Sequence, residues 1–444
     1  MNPQTDPLAG HSDPKRALFA NRNFRWLLGG GALSMLGDQF TQIALPWLVL
    51  KMTGDPLVLG TVLAVVSLPR AIFILIGGAL VDRYSPHRVL LLTKYLNAAL
   101  IGLLAALVWS GTIQLWMVYG LALAIGLVTA FSFPAGSSIL PQALPPQSLQ
   151  AANGFLMGLR QLTVLIGPLL AGLLIATFGD AAAPHAAGKI ENAAGLGMAF
   201  AFDALTFAIS AWTLQQVQTI VLAGNGGARS VLHAVGEAMG AMWRDVELRA
   251  LCLYFAAIAF FVGGPLQVAL PVLANTQLQG GAAALGFLLA GHGIGSLLGM
   301  VLAGALPKWR LKTLGLTVLA IDATAALTFL PFGHITATWQ GVALLAPLGA
   351  LAGYVQVAVF TWMQRRVPPA MLGRAMSVFM FIFMGLSPLA AAAAGAALRV
   401  LNPAALFTAS GLSLLMIVLL GVSLTPIRRI TDQPADQAPA TQPA

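Results

Sequence analysis

Six ionisable residues lie inside long apolar stretches of this chain: Asp38, Arg70, Arg160, Asp203, His292 and Asp322. A charge in hydrocarbon is costly, so each must face a partner or a water-filled cavity. Counted along an α-helix from the nearest charged helix end, Asp38 and Arg70 lie roughly 20 and 18 Å deep and the other four about 15–22 Å. All six fall near the middle of a bilayer.

The chemistry open to such a set is proton transfer and exchange of ion pairs. Asp38, Gln42 and Leu45 share a helical face in "SMLGDQFTQIALPW", and Pro46 loosens the backbone ladder beyond them. Three acids face two arginines. Pairing Asp38 with Arg70 and Asp203 with Arg160 leaves Asp322 over, but Asp38 is the better proton carrier by position. A carboxylate in low dielectric holds its proton and a nearby guanidinium loosens it, so motion that separates the two drives proton uptake or release. Asp203 also suits a structural bond to a neighbouring helix. His292 lies between two glycines and could titrate near neutral pH, although a packing histidine is the simpler reading.

Soluble-enzyme chemistry has little support. The six histidines are scattered, with no metal-ligand pair at helical spacing. No Gly-x-x-x-x-Gly-Lys-Ser/Thr loop is present to bind a nucleotide. "GHGIGSLLG" at 291–299 lies within an apolar run, where glycines serve close helix packing. No catalytic residue, metal or organic cofactor is expected; the energy source would be a proton gradient.

The elements that hold these residues are membrane helices. Hydrophobic residues make up 58% of the 444 and charged residues 8%, against about 25% charged in soluble proteins. Twelve apolar runs lie near 25–50, 57–80, 88–109, 115–137, 150–176, 196–217, 250–273, 282–306, 313–331, 338–361, 375–398 and 403–424. Each is about 20 residues long, enough to cross a hydrocarbon core of roughly 30 Å. The longest polar break divides them six and six. The expected organisation is an N-terminal segment (1–24), a six-helix bundle (25–217), a linker with a surface amphipathic helix (218–249), a second bundle (250–424) and a disordered tail (425–444). Cys252 is alone in an apolar run and reads as an inert core residue. Residues 1–23 are polar, so no cleavable signal is expected.

The two bundles are copies. "QIALPWL" at 42–48 returns as "QVALPVL" at 267–273, and "LGTVLA" at 59–64 as "LGFLLA" at 285–290. "GGALVDR" at 77–83 aligns with "AGALPKW" at 303–309, and "LPPQSLQAAN" at 144–153 with "VPPAMLGRAM" at 367–376. Parallel repeats of membrane helices rock around a central site in alternating-access transporters. With the N-terminus in the cytoplasm, 18 of the 23 Lys and Arg residues fall on the cytoplasmic side, 3 outside, and 2 within helices. The positive-inside rule then puts both termini in the cytoplasm. The net charge of +9 therefore points to membrane topology, not nucleic acid.

"GGALVDRYSPHRVLL" resembles the loop signature between helices 2 and 3 of the major facilitator superfamily, Gly-x-x-x-Asp-Arg-x-Gly-Arg-Arg. Gly78, Asp82 and Arg83 match, and Arg88 keeps one positive charge; Ser85 stands where glycine is usual. The resemblance implies a cytoplasmic gating latch, with Asp82 set against the start of helix 11 near Gly373 and Arg374. "AFSFPAGSSILPQALPPQSLQAANG" at 130–154 resembles the helix 4–5 segment of the third drug:proton antiporter group, which includes macrolide-efflux and enterobactin exporters. Gly154, Gly167, Pro168 and Gly172 match a degraded antiporter signature in helix 5, while Thr163 and Ala171 replace glycines. The arginine expected in helix 4 is missing, since 115–137 carries no charge.

The reading is an all-α, twelve-helix, multi-pass permease of a bacterial inner membrane. It would export an amphipathic small molecule by proton antiport, as a monomer in the lipid bilayer. A lipid or siderophore exporter and a non-transporting sensor or scaffold are the alternatives. Cysteines introduced in 218–249 should resist an impermeant thiol reagent added outside intact cells. Labelling there would overturn the helix assignment.

Overall fold

The computed structural model describes residues 18–73, 85–179, 193–219, 243–306, 309–367 and 385–431, with positions 240, 376, 379 and 381 between them. Gly78, Asp82, Arg83, Gly373 and Arg374, most of the linker and most of the tail lie outside the described residues.

The described residues form twelve helical stretches and no strand. In the first half these are α1 (Arg22–Thr53), α2 (Pro56–Phe73), α3 (Pro86–Trp109), α4 (Leu115–Ala143), α5 (Leu149–Phe178) and α6 (Ala194–Gln215). The second half has α7 (Val246–Thr276), α8 (Ala282–Ala305), α9 (Leu314–Phe332), α10 (Thr338–Arg366), α11 (Ser387–Ala397) and α12 (Pro403–Leu424). Ten are long and apolar enough to cross a membrane. The other two depart for separate reasons: α1 has 32 residues but carries Arg25, Asp38, Gln39 and Gln42, and the described part of α11 has 11.

Several helices outrun their apolar stretches. Hydropathy marks where lipid ends, whereas backbone hydrogen bonding and caps mark where a helix ends. Asn21 starts α1 by accepting a hydrogen bond from the Phe24 amide at 3.2 Å. Asp245 caps α7 through the Glu247 and Leu248 amides, so α7 begins before the apolar run expected at 250. α4 continues to Ala143 through Pro134 and Pro141.

Within the first half, α1 packs on α5 and α6, α3 on α4 and α6, and α2 on α4. In the second, α8 packs on α10, α9 on α12, and α7 on α11. The 291–299 glycine stretch lies in α8 against α10 and α5, as close helix packing requires. Ser85, at the position where glycine was expected, takes φ 53°, a positive value uncommon for a residue with a side chain.

The halves meet along two seams, α2 with α11 and α5 with α8. In the first, Gly60 and Gly395 cross so closely that a Cβ on Gly395 would lie 2.5 Å from the Pro56 carbonyl oxygen. In the second, a Cβ on Gly286 would lie 2.5 Å from the Pro168 carbonyl oxygen. The internal repeat relates the two: 226 positions separate Gly60 from Gly286 and 223 separate Gly172 from Gly395. Both seams lie at the end of the bundle that carries the α1–α2 turn. There Arg399 Nε donates to Asp55 Oδ1 at 3.2 Å and its Nη2 to Oδ2, bridging the halves. At the opposite end, Arg366 pairs with Asp245 at 3.1 Å and Glu247 at 3.2 Å, within the second half. Between the two ends, Gln161 Nε2 of α5 donates to Met300 Sδ of α8 at 3.3 Å, a second polar contact between the halves.

Two outcomes follow from this closed end. Gly286→Leu should keep the seam apart, costing the closed arrangement about 1–3 kcal/mol. Spin-label distances across the end should lengthen, and unchanged distances would remove the seam from gating. The Arg399 hydrogen bond is the main cause holding the Asp55 carboxyl below its usual range. A carboxyl with a lowered value in the closed form favours closure above the ordinary aspartate value of about 4, and loses that effect as pH falls through the lowered value. In an Asp38→Asn background, which removes proton binding there, the same distances should therefore be flat from pH 8 to pH 5, lengthen in stronger acid, and lengthen at pH 7 when Asp55→Asn is added.

Candidate functional site

The midplane charges are brought together by the face that α1 turns to α6. Ser34, Gly37 and Thr41 recur on that face at helical spacing. Gly37 lets α6 approach: any Cβ there would collide with the Thr206 hydroxyl and the Asp203 carboxylate. Asp203 is fully buried and accepts hydrogen bonds from Thr41 Oγ1 on α1 and from Thr206 Oγ1 at 3.4 Å. Asp38 sits beside this face on the exposed flank of α1, with Gln42 one turn on.

The cation of this cluster is Lys94. It lies eight residues into α3, about 12 Å along the helix axis. Its Nζ donates to Ser34 Oγ at 2.9 Å and lies 5.3 Å from the centre of the Phe207 ring. Lys94 is close enough to both Asp38 and Asp203 to attract each electrostatically. In the sequence, Lys94 reads as one of the basic residues at a cytoplasmic helix end; the structure moves it into the membrane interior. A serine and a carboxylate on another helix supply its partners, and no local motif signals them.

The sequence-based pairings change accordingly. Asp203 turns towards α1 and α3, not α5, so Arg160 is not its partner. Arg160 is exposed on α5, near enough to Arg70 for like-charge repulsion. Arg70 is attracted by Asp38, but no described ion pair within 4 Å joins them. Asp322 stands apart in the second half, where Tyr254 Oη on α7 donates to its Oδ2 at 2.6 Å. His292 is half-buried on α8, with its backbone carbonyl against Gly349 of α10. Arg88 is exposed in the first turn of α3. Of the helix 5 motif, Gly167 packs on Gln39 of α1, and Pro168 and Gly172 on Gly286 of α8. Gly154 faces open space.

A cavity of about 400 Å³ lies between the halves. Ser67 and Arg70 of α2 line one side; Gln267 of α7 and Ser387 of α11 line the other. Gln267 and Ser387 hydrogen-bond each other at 3.1 Å. The α7 wall is a π-helical turn, Ala259–Gly263, which supplies Ala259, Val262 and Gly263 to the cavity. The turn precedes Pro265, which has no N–H to continue the ladder. Such turns are frequent at functional sites.

The comparisons agree with this architecture. The Major Facilitator Superfamily profile matches residues 27–392. An uncharacterized MFS-type transporter, y4rN, of Sinorhizobium fredii is 26% identical over 90% of this chain and 94% of its own. Multidrug efflux pump Tap of Mycolicibacterium fortuitum is 25% identical over 89% and 93%. Macrolide efflux protein A of Streptococcus pyogenes is 22% identical over 80% and 84%. Among solved structures, the nucleoside transporter NupG superposes with a TM-score of 0.70 at 12% identity, covering 90% of this chain and 99% of that one. A bacterial homologue of the iron transporter ferroportin, in an inward-facing state, gives 0.62 at 17% identity, covering 90% and 98%. Two six-helix halves, a cavity between them and a profile match across most of the sequence lead to one conclusion: this chain is a multi-pass membrane transporter that belongs to the major facilitator superfamily.

Proposed function

We propose that this transporter exports amphipathic small molecules across a bacterial inner membrane in exchange for protons. The observation that carries the reading is the polar cluster of Asp38, Lys94 and Asp203 in an otherwise apolar interior, with Asp38 in electrostatic reach of Arg70 at the cavity. Charges are kept at that depth when they bind or move ions. The relatives named for macrolide and multidrug efflux support export of an amphipathic substrate. So does the cavity, whose apolar wall of Ile258 and Val262 faces polar anchors at Ser67, Arg70, Gln267 and Ser387. Such a lining suits a largely apolar molecule with hydrogen-bonding groups.

With both termini in the cytoplasm, the end closed by the glycine seams and the Asp55–Arg399 pair faces outside. The described conformation is then closed on the outer side. Opening outward requires both seams to part together, because the repeat makes them equivalent. A cytoplasmic latch of Asp82 against Gly373 and Arg374 would hold the outward-facing state. Protonation of Asp38 weakens its hold on Lys94 and Arg70, so proton binding and substrate release share one set of charges.

In liposomes, Asp38→Asn should abolish transport driven by a pH gradient while downhill exchange of substrate continues. Arg70→Ala should also be damaging, by about tenfold or more, because it strands a charge at depth. Asp322→Asn should be milder, since Tyr254 already supplies a neutral partner. Full pH-driven activity in Asp38→Asn would remove Asp38 from the mechanism.

A further inference from the structure

Three polar groups that do not line the cavity stand on α3 and α6, which pack on each other, with α6 against α1: Lys94, Asn97 and Asp203. The Lys94 ammonium has three N–H donors and commits one, to Ser34 Oγ. Asp203 is held by two threonine hydroxyls and has no ion pair within 4 Å among the described residues. Asn97, one turn along α3 from Lys94, is 1% exposed, and neither its Oδ1 nor its Nδ2 makes a hydrogen bond within the protein. Buried amides are almost always satisfied, and a polar pocket with several open donors and acceptors is where internal water is held.

We propose that Lys94, Asp203 and Asn97 form a hydrated internal site, in which the Lys94 ammonium is shared between Asp38 and Asp203 and thereby governs proton binding at Asp38. The inference rests on the proton-exchange reading and deepens it. One ammonium lies between two carboxylates on different helices, Asp38 on α1 and Asp203 on α6. When Asp38 is ionised it draws on Lys94 and, from the cavity side, on Arg70, whose own neighbour is Arg160. When Asp38 takes a proton, Lys94 turns wholly to Asp203, so the buried charge is never left without a counter-ion. Water around Asn97 lets the ammonium shift without losing its hydrogen bonds. Of the other charged groups on the helices packed here, Arg22, Arg25 and Lys51 lie near the ends of α1, Arg88 lies in the first turn of α3, α5 carries Arg160, and α4 and α6 carry none. Lys94 is thus a positioning residue for proton exchange, and Asp203 its second carboxylate.

The test needs no knowledge of the transported molecule. Infrared spectroscopy of the full chain in lipid follows the carbonyl band of protonated carboxylic acids as pH is varied. The component lost in Asp38→Asn is assigned to Asp38. In Lys94→Met that component should titrate at higher pH, by about one unit or more, because a nearby cation is gone. In Asp203→Asn it should titrate at lower pH, because Lys94 then serves Asp38 alone. The double variant should return towards the parent. A purely structural role for Lys94 would not shift the band in opposite directions. Should Lys94→Met fail to insert, Asp203→Asn and the charge-balanced double variant still read the coupling. If Asp38 titrates as in the parent in these variants, or shifts the same way in both single variants, the Lys94 inference is overturned and the Asp38 reading stands. If Asp38→Asn removes no component, both fall.

Discussion

The cost of placing charge in hydrocarbon organises this molecule. Asp203 is fully buried, and an isolated carboxylate there would be untenable. Its acceptors are met by Thr41 and Thr206, and its charge is opposed by Lys94. These groups come from three helices, so the cluster specifies how α1, α3 and α6 sit together. Gly37 is part of the same requirement, because only a residue without a side chain lets the Asp203 carboxylate reach α1. Asp38, on the flank of the same helix, lies within electrostatic reach of both Lys94 in this interior and Arg70 at the cavity between the halves.

A transporter must also let two packed surfaces separate. The seams between the halves carry no buried charge. They are made of backbone against backbone, at Gly60 with Gly395 and Gly172 with Gly286. Close contact of small residues stabilises by dispersion alone, which adds up over a short crossing and is lost smoothly as helices part. The ion pair at that end between Asp55 and Arg399 is partly exposed, with Arg399 side-chain exposure of 53%. Solvent replaces it readily when the end opens. Strong polar contacts hold each half together, and weak reversible ones hold the halves to each other.

The two halves repeat in backbone but not in chemistry. Asn97 in α3 and Asp322 in α9 stand 225 positions apart, within the spacing of the repeat. The second half answers its acid with a neutral phenol, Tyr254, and the first leaves its amide without a protein hydrogen-bond partner one turn from Lys94. The charges at depth are concentrated in the first half, at Asp38, Arg70, Lys94, Arg160 and Asp203. The π-helical turn that lines the cavity belongs to the second. Duplication supplied the scaffold, and the halves then diverged at the same depth.

The sequence by itself determined the membrane class, the six-plus-six division and the repeat, because these follow from composition and from periodicity along one chain. It also singled out Asp38, Arg70, Asp203 and Asp322 as costly charges, since a carboxylate within twenty apolar residues is visible without any fold. Which charge meets which was decided only by tertiary structure. Asp203 and Arg160 sit on neighbouring helices in the chain, yet α6 turns its acid towards α1 and α3. Lys94 lies close enough to a helix end to read as an interfacial cation, and its burial depends on how α3 packs against α1 and α6. Tyr254 and Asn97 carry no charge and give no signal in a hydropathy trace. Side-chain pairing across helices depends on rotation and depth of each helix in the bundle, and a linear pattern constrains neither tightly enough to name the partner.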